Sequence, residues 1–477
     1  MSTDAAAPLS VPVLRRGGFH LSLDRCRLDA YDGHPLAEVH QAPPLLVQAL
    51  VEEMRRDMAG GTEAVLRRLE WLRRAGRLFG RSRLLGLEPE EHQALVVLAT
   101  GLPLRSVEES FHYLTEALQG MEGAVRRQVP GGEPEAVDRG WSATGRHAWV
   151  PLGQVLGFGA PNNHPSVHLT WLLALALGWG VVVRPGSQEP FTAARLWAAL
   201  MEAGFPPGRL AVAPGPHASL QALTDLADRT VLYGGDDVVR RFAGSPRVLV
   251  NGPGRSKVLA DLTSPVAELD RLAAFLEETA LSDGGRKCTN ASAVLVRGEP
   301  SQARALAEAT AARLAGLEPR PPLDPEARLA IFPSSPQPRL LDRQVDALLG
   351  AEAQDLSSPA RAGIPRLQEA QGGLFLLPTV VWCRSPRSPL FGKEYPFPFL
   401  TFASAEHDPV EELAPSLAVS LLTRDRSLVD RCLRHPGLMK VFHGPIPPSY
   451  TEPGAPHQGL LSSFLFANKA FRRAPGF

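Results

Sequence analysis

The stretch VLGFGAPNNHPSVHLTWLLALALGWGVVVRPGS, residues 155–187, decides the fold class. Val155 to Phe158 is a short apolar run that reads as a strand. Val167 to Leu177 is long enough for a buried helix, and Val181 to Val183 is a second strand. Gly178 and Gly180 read as the turn between them, and they interrupt an apolar run, Leu169 to Val183, already shorter than the roughly 20 residues a membrane helix needs. The alternation continues downstream, with a helix over Ala193 to Ala203 and strands over Leu210 to Val212 and Thr230 to Tyr233. This spacing predicts an α/β fold, a parallel sheet with helices on its faces. A second α/β region runs from about Pro265 to Val441 and includes a helix over Val266 to Leu281, a glycine-containing loop and a strand over Ala293 to Val296.

Upstream, residues 45 to 120 read as helices. Leu46, Leu50, Met54 and Met58 fall on one face, as do Val65, Leu69 and Leu72. Ser106 and Glu109 have the spacing of a capping box, followed by Val107, Phe111, Leu114 and Leu118 on one side. These stripes read as core, and nothing in this third of the chain carries chemistry. The Pro-rich stretches Glu318 to Pro338 and Pro445 to Pro456 read as loops, because proline removes ladder donors. No internal repeat is visible.

At 477 residues the chain can build two or three domains' worth of core. Lys+Arg and Asp+Glu balance at 50 each, so no net field points to nucleic acid or an anionic membrane. The basic residues are nearly all arginine, and the five lysines are Lys257, Lys287, Lys393, Lys440 and Lys469; the bias reads as mutational background. Cys26, Cys288, Cys383 and Cys432 lie far apart without a CxxC pair, which argues against a disulfide framework or zinc site and suits a reducing cytoplasm. Met1 to Pro12 lacks the basic-then-apolar pattern of a signal peptide.

Cys288 follows Asp283-Gly284-Gly285-Arg286-Lys287 and precedes Thr289-Asn290, between a helix and a strand. A cysteine on a glycine-rich loop beside two cations is placed where its thiolate is favoured. Taken alone, an ordinary half-buried cysteine is the better reading, and for Cys26, Cys383 and Cys432 that reading stands. The surrounding motifs shift the balance for Cys288. Gly157-Phe158-Gly159-Ala160-Pro161-Asn162-Asn163-His164-Pro165 is followed by Arg184-Pro185-Gly186-Ser187-Gln188-Glu189-Pro190, then Glu202-Ala203-Gly204-Phe205-Pro206-Pro207-Gly208 and Ala213-Pro214-Gly215-Pro216. Their order and spacing resemble the aldehyde dehydrogenase superfamily over roughly residues 145 to 470. Asp228 to Arg240 matches the segment of that family's threonine–glycine–serine motif, with Gly234 on the glycine and Gly235 following. Cys288 stands where its catalytic cysteine is expected, and Glu394 in Gly392-Lys393-Glu394-Tyr395-Pro396-Phe397-Pro398 matches its acidic residue. The Gly157-x-Gly159-x-x-Asn162 string lacks the third glycine of a dinucleotide fingerprint and carries no weight.

The resemblance implies an aldehyde dehydrogenase-like fold: a Rossmann-type cofactor domain, an α/β catalytic domain, a helical N-terminal region and a C-terminal oligomerisation strand. The boundaries it suggests are residues 1–140, 141–262, 263–443 and 444–477. Cys288 would attack the carbonyl carbon. Asn163 would donate its amide to the oxyanion, with Asn162 the adjacent alternative; such a donor is worth about 3 kcal/mol of barrier. Phe158, Gly159, Arg184, Ser187, Gly215, Gly234, Gly235 and Glu394 would contact the cofactor, Glu394 at the nicotinamide ribose.

Two departures bear on the subclass. The family's hydrolytic members use a glutamate as general base where Val250-Asn251-Gly252-Pro253-Gly254-Arg255-Ser256-Lys257 stands here, and the amide of Asn251 cannot accept that proton. Members that exchange acyl groups with coenzyme A similarly lack the base. The chain thus resembles the CoA-acylating and acyl-CoA reductase branch, which implies reduction of an acyl thioester to an aldehyde or the reverse oxidation. The alternatives are a hydrolytic aldehyde dehydrogenase, a relative acting on acyl phosphates, and an inactive member kept for complex formation. Arg184 replaces the family's strand-end lysine, and Ser187 stands where NAD-preferring members place a carboxylate, so NADP(H) is expected to be accepted or preferred, with NAD(H) possible and Glu189 a complication. Leu460 to Phe466 reads as a strand for subunit pairing, giving a homodimer or homotetramer acting on a small acyl or aldehyde substrate. Phe111, Trp171, Phe464 and Phe466 read as core more readily than as an acyl tunnel.

Overall fold

Where the sequence predicts short apolar strands, the structure pairs them side by side. The structure, a computed structural model, describes residues 9–140, 147–333, 335–472 and 474. Residues 1–8 of the N-terminal stretch, residues 141–146 at the first suggested domain boundary, and Ser334 within the first Pro-rich stretch lie outside the described residues. The chain divides into two compact units, one formed by Met1–Ala99, Glu108–Gly252 and Glu452–Phe477, the other by Thr100–Val107 and Pro253–Thr451.

The first unit begins with strands: β1 (Leu9–Val11), β2 (Val13–Arg15), β3 (Gly18–His20), β4 (Arg25–Asp29) and β5 (Pro35–His40). This corrects the expectation of a helical N-terminal region, which holds only from Pro44 onward. β1, β2 and β3, of three residues each, are too short to show a period. The helices Pro44–Met58 and Val65–Arg81 follow, and their apolar stripes are buried. Val47, Leu50, Val51, Met54 and Met58 pack on Val155, Val182, Ala211 and Ala213 of the main sheet. A helix over Leu104–Gln119 contains Ser106 as its third residue, so Ser106 is not the cap that its spacing with Glu109 suggests.

β6 (His147–Pro151), β7 (Val155–Gly159), β8 (Gly180–Arg184), β9 (Leu210–Val212), β10 (Arg229–Tyr233) and β11 (Val248–Asn251) follow. The seven-stranded sheet has the order β11-β10-β7-β8-β9-β2-β3, parallel from β11 to β9, with β2 antiparallel to β9. Between β7 and β8 the predicted helix resolves into a 3-10 turn, Pro165–His168, and an α-helix, Leu169–Ala176. From β7 the chain winds outward through β8 to β9, then returns to lay β10 and β11 on the opposite side of β7. The carboxyl ends of β7 and β10 therefore flank a topological switch point, the place where open α/β sheets bind ligands.

The second unit holds β12 (Ser256–Asp261), β13 (Ala291–Arg297), β14 (Ala353–Asp355), β15 (Leu367–Ala370), β16 (Gly373–Leu376), β17 (Thr379–Cys383), β18 (Phe399–Ser404), β19 (Ser416–Leu422) and β20 (Leu438–His443). Its main sheet runs β14-β17-β18-β13-β12-β19-β20, parallel except for β14. Helices Leu269–Leu281 and Pro300–Ala315 accompany it. Cys383 and Cys432 are buried in its cores, where burial pushes their thiols up to about 11.

The last strand, β21 (Phe466–Ala470), returns to the first unit and pairs antiparallel with β6, with Phe466 stacked on Trp149 at 3.9 Å. Leu461–Leu465 is a short helix, which corrects the strand expected over Leu460 to Phe466. Five apolar residues in seven read as either structure, and the helix turns the chain into β21. Gln128 ties this tail down: its buried side-chain amide Nε2 donates to the Gly454 carbonyl at 2.7 Å, and its Oε1 accepts from Ser462 N at 2.8 Å. Replacing Gln128 by alanine leaves both buried main-chain groups without a partner, at about 1–3 kcal/mol each. A clear drop in Tm for Gln128→Ala in thermal unfolding is the expected result, and an unchanged Tm would show that the tail is held by other contacts.

Candidate active site

The predicted cofactor residues gather at the carboxyl edge of the first unit's sheet. Phe158 and Gly159 end β7, Arg184 ends β8, Gly215 follows β9, and Gly234 and Gly235 follow β10. Gly159 has no room for a side chain, since a Cβ would lie 2.8 Å from Leu220 and 3.0 Å from Leu232. The Arg184 Nε donates to the Gly215 carbonyl at 2.9 Å, which joins two neighbouring strand ends. Gly234 N donates to the Asn251 carbonyl at 3.2 Å, so Asn251 belongs to this edge. Asn162 is taken up by the loop after β8: its Oδ1 accepts from Gln188 N at 2.9 Å and its Nδ2 lies 3.4 Å from Ser187 Oγ. Asn162 thus braces the turn, while Asn163 follows it.

Glu189 does not join the outer surface of that loop. Its Oε1 accepts from Thr192 N at 2.8 Å, and its Oε2 lies 3.6 Å from Nε2 of the buried His168. His168 Nδ1 in turn accepts from the Trp171 indole at 2.8 Å. The carboxylate that complicated the reading of cofactor choice is therefore a core group. Burial lowers the Arg184 guanidinium, and the side chain of exposed Cys26, when ionised, opposes this. A cation at a strand's carboxyl end, with Ser187 beyond it, suits the phosphate and ribose groups of a dinucleotide.

The cysteine residue lies in the second unit, at the opposite kind of edge. Cys288 precedes β13, Gly254 and Arg255 precede β12, Glu394 precedes β18, and Leu417 is the second residue of β19, so the group collects at the amino ends of the parallel strands. Its loop is shaped by three consecutive left-handed residues, Asp283 (φ 51), Gly284 (φ 60) and Gly285 (φ 86). A Cβ at Gly285 would overlap the Phe397–Pro398 peptide, which explains the glycine there. Asn290 closes the loop, its N donating to the Lys287 carbonyl at 2.9 Å and its Nδ2 to the Ser282 carbonyl at 2.6 Å. Asp283 is buried, with Lys287 Nζ 3.8 Å away and the Ser106 hydroxyl bonded to it, which is where Ser106 spends its side chain.

Gly254 lies against Cys288: a Cβ there would overlap the Cys288 carbonyl oxygen. The Glu394 carboxylate accepts from Gly254 N at 2.7 Å and Arg255 N at 3.1 Å. Lys257 anchors the same strand entry, its buried Nζ donating at 2.9 Å to the Leu413 and Pro415 carbonyls and to Ser416 Oγ. Burial, with Arg255 nearby, lowers that amine to about 8.

The expectation that two flanking cations favour the thiolate needs correction. Arg286 turns away, donating to the Thr100 and Ile331 carbonyls and stacking over Phe332 at 4.4 Å. Burial, and next the Glu394 carboxylate, push the Cys288 thiol up to about 11, against the smaller opposing pull of Lys440 and Lys287. Lys440 was missed in the sequence, being more than a hundred residues from Cys288; the scarcity of lysine was the available signal.

This arrangement has counterparts. The family described as "Aldehyde dehydrogenase family" matches residues 26–433. The chain belongs to the aldehyde dehydrogenase family. The betaine aldehyde dehydrogenase of Cereibacter sphaeroides is 30% identical over 324 residues, 64% of this chain and 62% of that protein. The aminoacetaldehyde dehydrogenase of Pseudomonas aeruginosa is 30% identical over 267 residues, 53% of this chain and 51% of that protein. Among solved structures, the aldehyde dehydrogenase KauB from Pseudomonas aeruginosa superposes with a TM-score of 0.79 at 18% identity, covering 97% of this chain and 96% of that one. The sequence matches to the curated relatives span less than two thirds of their length. No helix among the described residues is long and apolar enough to cross a membrane.

The thiol's electrostatics give a measurable consequence. Glu394→Gln removes the negative charge that raises the Cys288 thiol, so the variant's thiolate fraction is larger at any pH below about 11. Alkylation of Cys288 by iodoacetamide at pH 8 is expected to speed up in Glu394→Gln; an equal or slower rate would mean that the carboxylate does not act on the sulfur.

Proposed function

We propose that the chain oxidises a small aldehyde through a thioester on Cys288, with NAD(P) as the hydride acceptor. The observation that carries this reading is Cys288 on its tight loop, with Gly254 packed on its carbonyl and Glu394 bonded to Gly254 and Arg255. The names of the curated relatives, betaine aldehyde and aminoacetaldehyde dehydrogenases, support aldehyde oxidation over the acyl-thioester reduction that the sequence alone favours.

In this reading the Cys288 sulfur attacks the aldehyde carbon, a C–S bond forms, and the carbonyl π pair moves to oxygen. The Asn163 amide and the Cys288 main-chain N–H donate to that oxyanion. The cofactor, when bound, supplies the acceptor for the hydride that leaves the adduct. Phe158, Gly159, Arg184, Ser187, Gly215, Gly234 and Gly235 are proposed to hold it, with Glu394 at the ribose. Cofactor binding is assigned to residues 141–262 and the cysteine chemistry to residues 263–443. The segment 444–477 is assigned to pairing of subunits into a homodimer or homotetramer through the β6–β21 ribbon.

A specific observation favours a second acceptor for the acyl group. Asn251 stands where the hydrolytic members carry their glutamate, and an amide cannot take a proton from water. Transfer of the acyl group to the thiol of coenzyme A, or its reverse, is the reading this supports. Arg184 and Ser187, with Glu189 buried in the core, support acceptance of NADP.

The test is a panel of aldehydes with NAD or NADP, with and without coenzyme A, and product analysis. Free acid formed without coenzyme A, and lost in Cys288→Ser, establishes hydrolytic oxidation; products that require coenzyme A establish acyl transfer. Absence of cysteine-dependent turnover under all conditions overturns the proposal. Arg184→Leu is expected to raise KM for NADP about tenfold more than KM for NAD, since it removes a charge-assisted contact to a phosphate; an equal change for both cofactors would place Arg184 elsewhere.

A further inference from the structure

The turn that carries Ser187 is pinned along most of its length. Gly186 lies against the neighbouring loop, since a Cβ there would overlap Asn162 Oδ1. Gln188 N donates to that same oxygen at 2.9 Å, and Glu189 N donates to the Gly186 carbonyl at 3.2 Å. Glu189 therefore stands two residues past Ser187 on one short turn beyond the carboxyl end of β8. A carboxylate at such a place would ordinarily face water and add a negative charge to this edge. Ser187 and Gln188 are exposed, yet Glu189 is only 4% exposed.

Two groups meet the carboxylate in the core. Its Oε1 accepts from Thr192 N at 2.8 Å, at the start of the helix Phe191–Ala203. Its Oε2 faces His168 Nε2 at 3.6 Å. His168 ends the 3-10 turn Pro165–His168 and is 1% exposed, with its ring 6.4 Å from that of Phe158. The Trp171 indole N–H donates to His168 Nδ1 at 2.8 Å. A ring nitrogen that accepts carries no proton, so the proton of the neutral imidazole is on Nε2, the nitrogen that faces Glu189. The two arginines nearest in sequence are committed elsewhere: Arg184 Nε donates to the Gly215 carbonyl, and Arg195 donates to the Phe79, Ser82 and Leu87 carbonyls.

We propose that His168 is a specificity-determining residue: by holding the Glu189 carboxylate in the core, it keeps a negative charge off the Arg184–Ser187 edge and leaves that edge open to the phosphate-bearing cofactor, NADP. A buried carboxylate that loses its partner is costly, and rotation to water is the escape. From position 189 that rotation brings the charge beside Ser187. There it repels a phosphate, whereas the ribose hydroxyls of NAD gain an acceptor. The inference rests on the reading of this edge as the cofactor's.

The experiment measures Kd for NADP and for NAD by titration calorimetry, without turnover. The proteins compared are the wild type, His168→Leu, His168→Gln, Glu189→Gln and the double variant His168→Leu/Glu189→Gln. His168→Leu is expected to weaken NADP binding about tenfold while NAD binding changes less than about threefold. His168→Gln, which keeps an N–H donor, and Glu189→Gln, which removes the charge, are expected to bind NADP as the wild type does. The double variant is expected to recover NADP binding, because no charge remains to be released; a mere packing role for His168 gives no such recovery. Unchanged NADP binding in His168→Leu, equal weakening of both cofactors, or a loss that persists in the double variant overturns the proposal. Weakened NADP binding in Glu189→Gln overturns it as well, whether or not His168→Leu folds. An equal effect of Arg184→Leu on the two cofactors overturns instead the reading of the edge, and involves neither His168 nor Glu189.

Discussion

The close approach of the Gly254 backbone to the Cys288 carbonyl is the constraint on which the second unit is organised. It admits no side chain at 254, and it brings the entry of β12 against the entry of β13. Glu394 then satisfies two main-chain N–H groups of that entry with a single carboxylate oxygen, tying the segment before β18 to it. Lys257 ties the same entry to the turn before β19. Four chain segments, separated by up to 160 residues, are thereby fixed around one sulfur. The cost is electrostatic, because the clamp that builds the loop is an anion and raises the thiol it surrounds.

The two units use opposite edges of similar sheets. In the first, the parallel strands deliver glycines and Arg184 at their carboxyl ends, beside a switch point, as open α/β sheets commonly do. In the second, Cys288, Gly254, Glu394 and Leu417 all sit at amino ends. The loop before β13 owes its shape to three successive left-handed residues and to the close passage of Phe397 and Pro398.

Much of this was readable from residue patterns. The four-residue spacing of Leu50, Met54 and Met58 and the runs at 155–158 and 181–183 became buried helix faces and parallel strands, because both signals depend on local periodicity and burial. The family motifs located Cys288, Glu394 and the glycine turns. The readings that failed share one cause, a side chain whose partner is remote in sequence. Ser106 looked like a cap and bonds Asp283; Arg286 looked like an activating cation and bonds Thr100 and Ile331. Glu189, which complicated the reading of cofactor choice, lies in the core with His168.

The sequence by itself determined the fold class, the family resemblance and the identity of the cysteine on its glycine loop, since these rest on spacing between near neighbours. Tertiary structure decided the charge that the cysteine meets. Glu394 and Lys440 lie more than a hundred residues beyond it, and Arg286, two residues before it, turns aside. An electrostatic environment is a sum over distances in space, and chain separation carries almost none of that information.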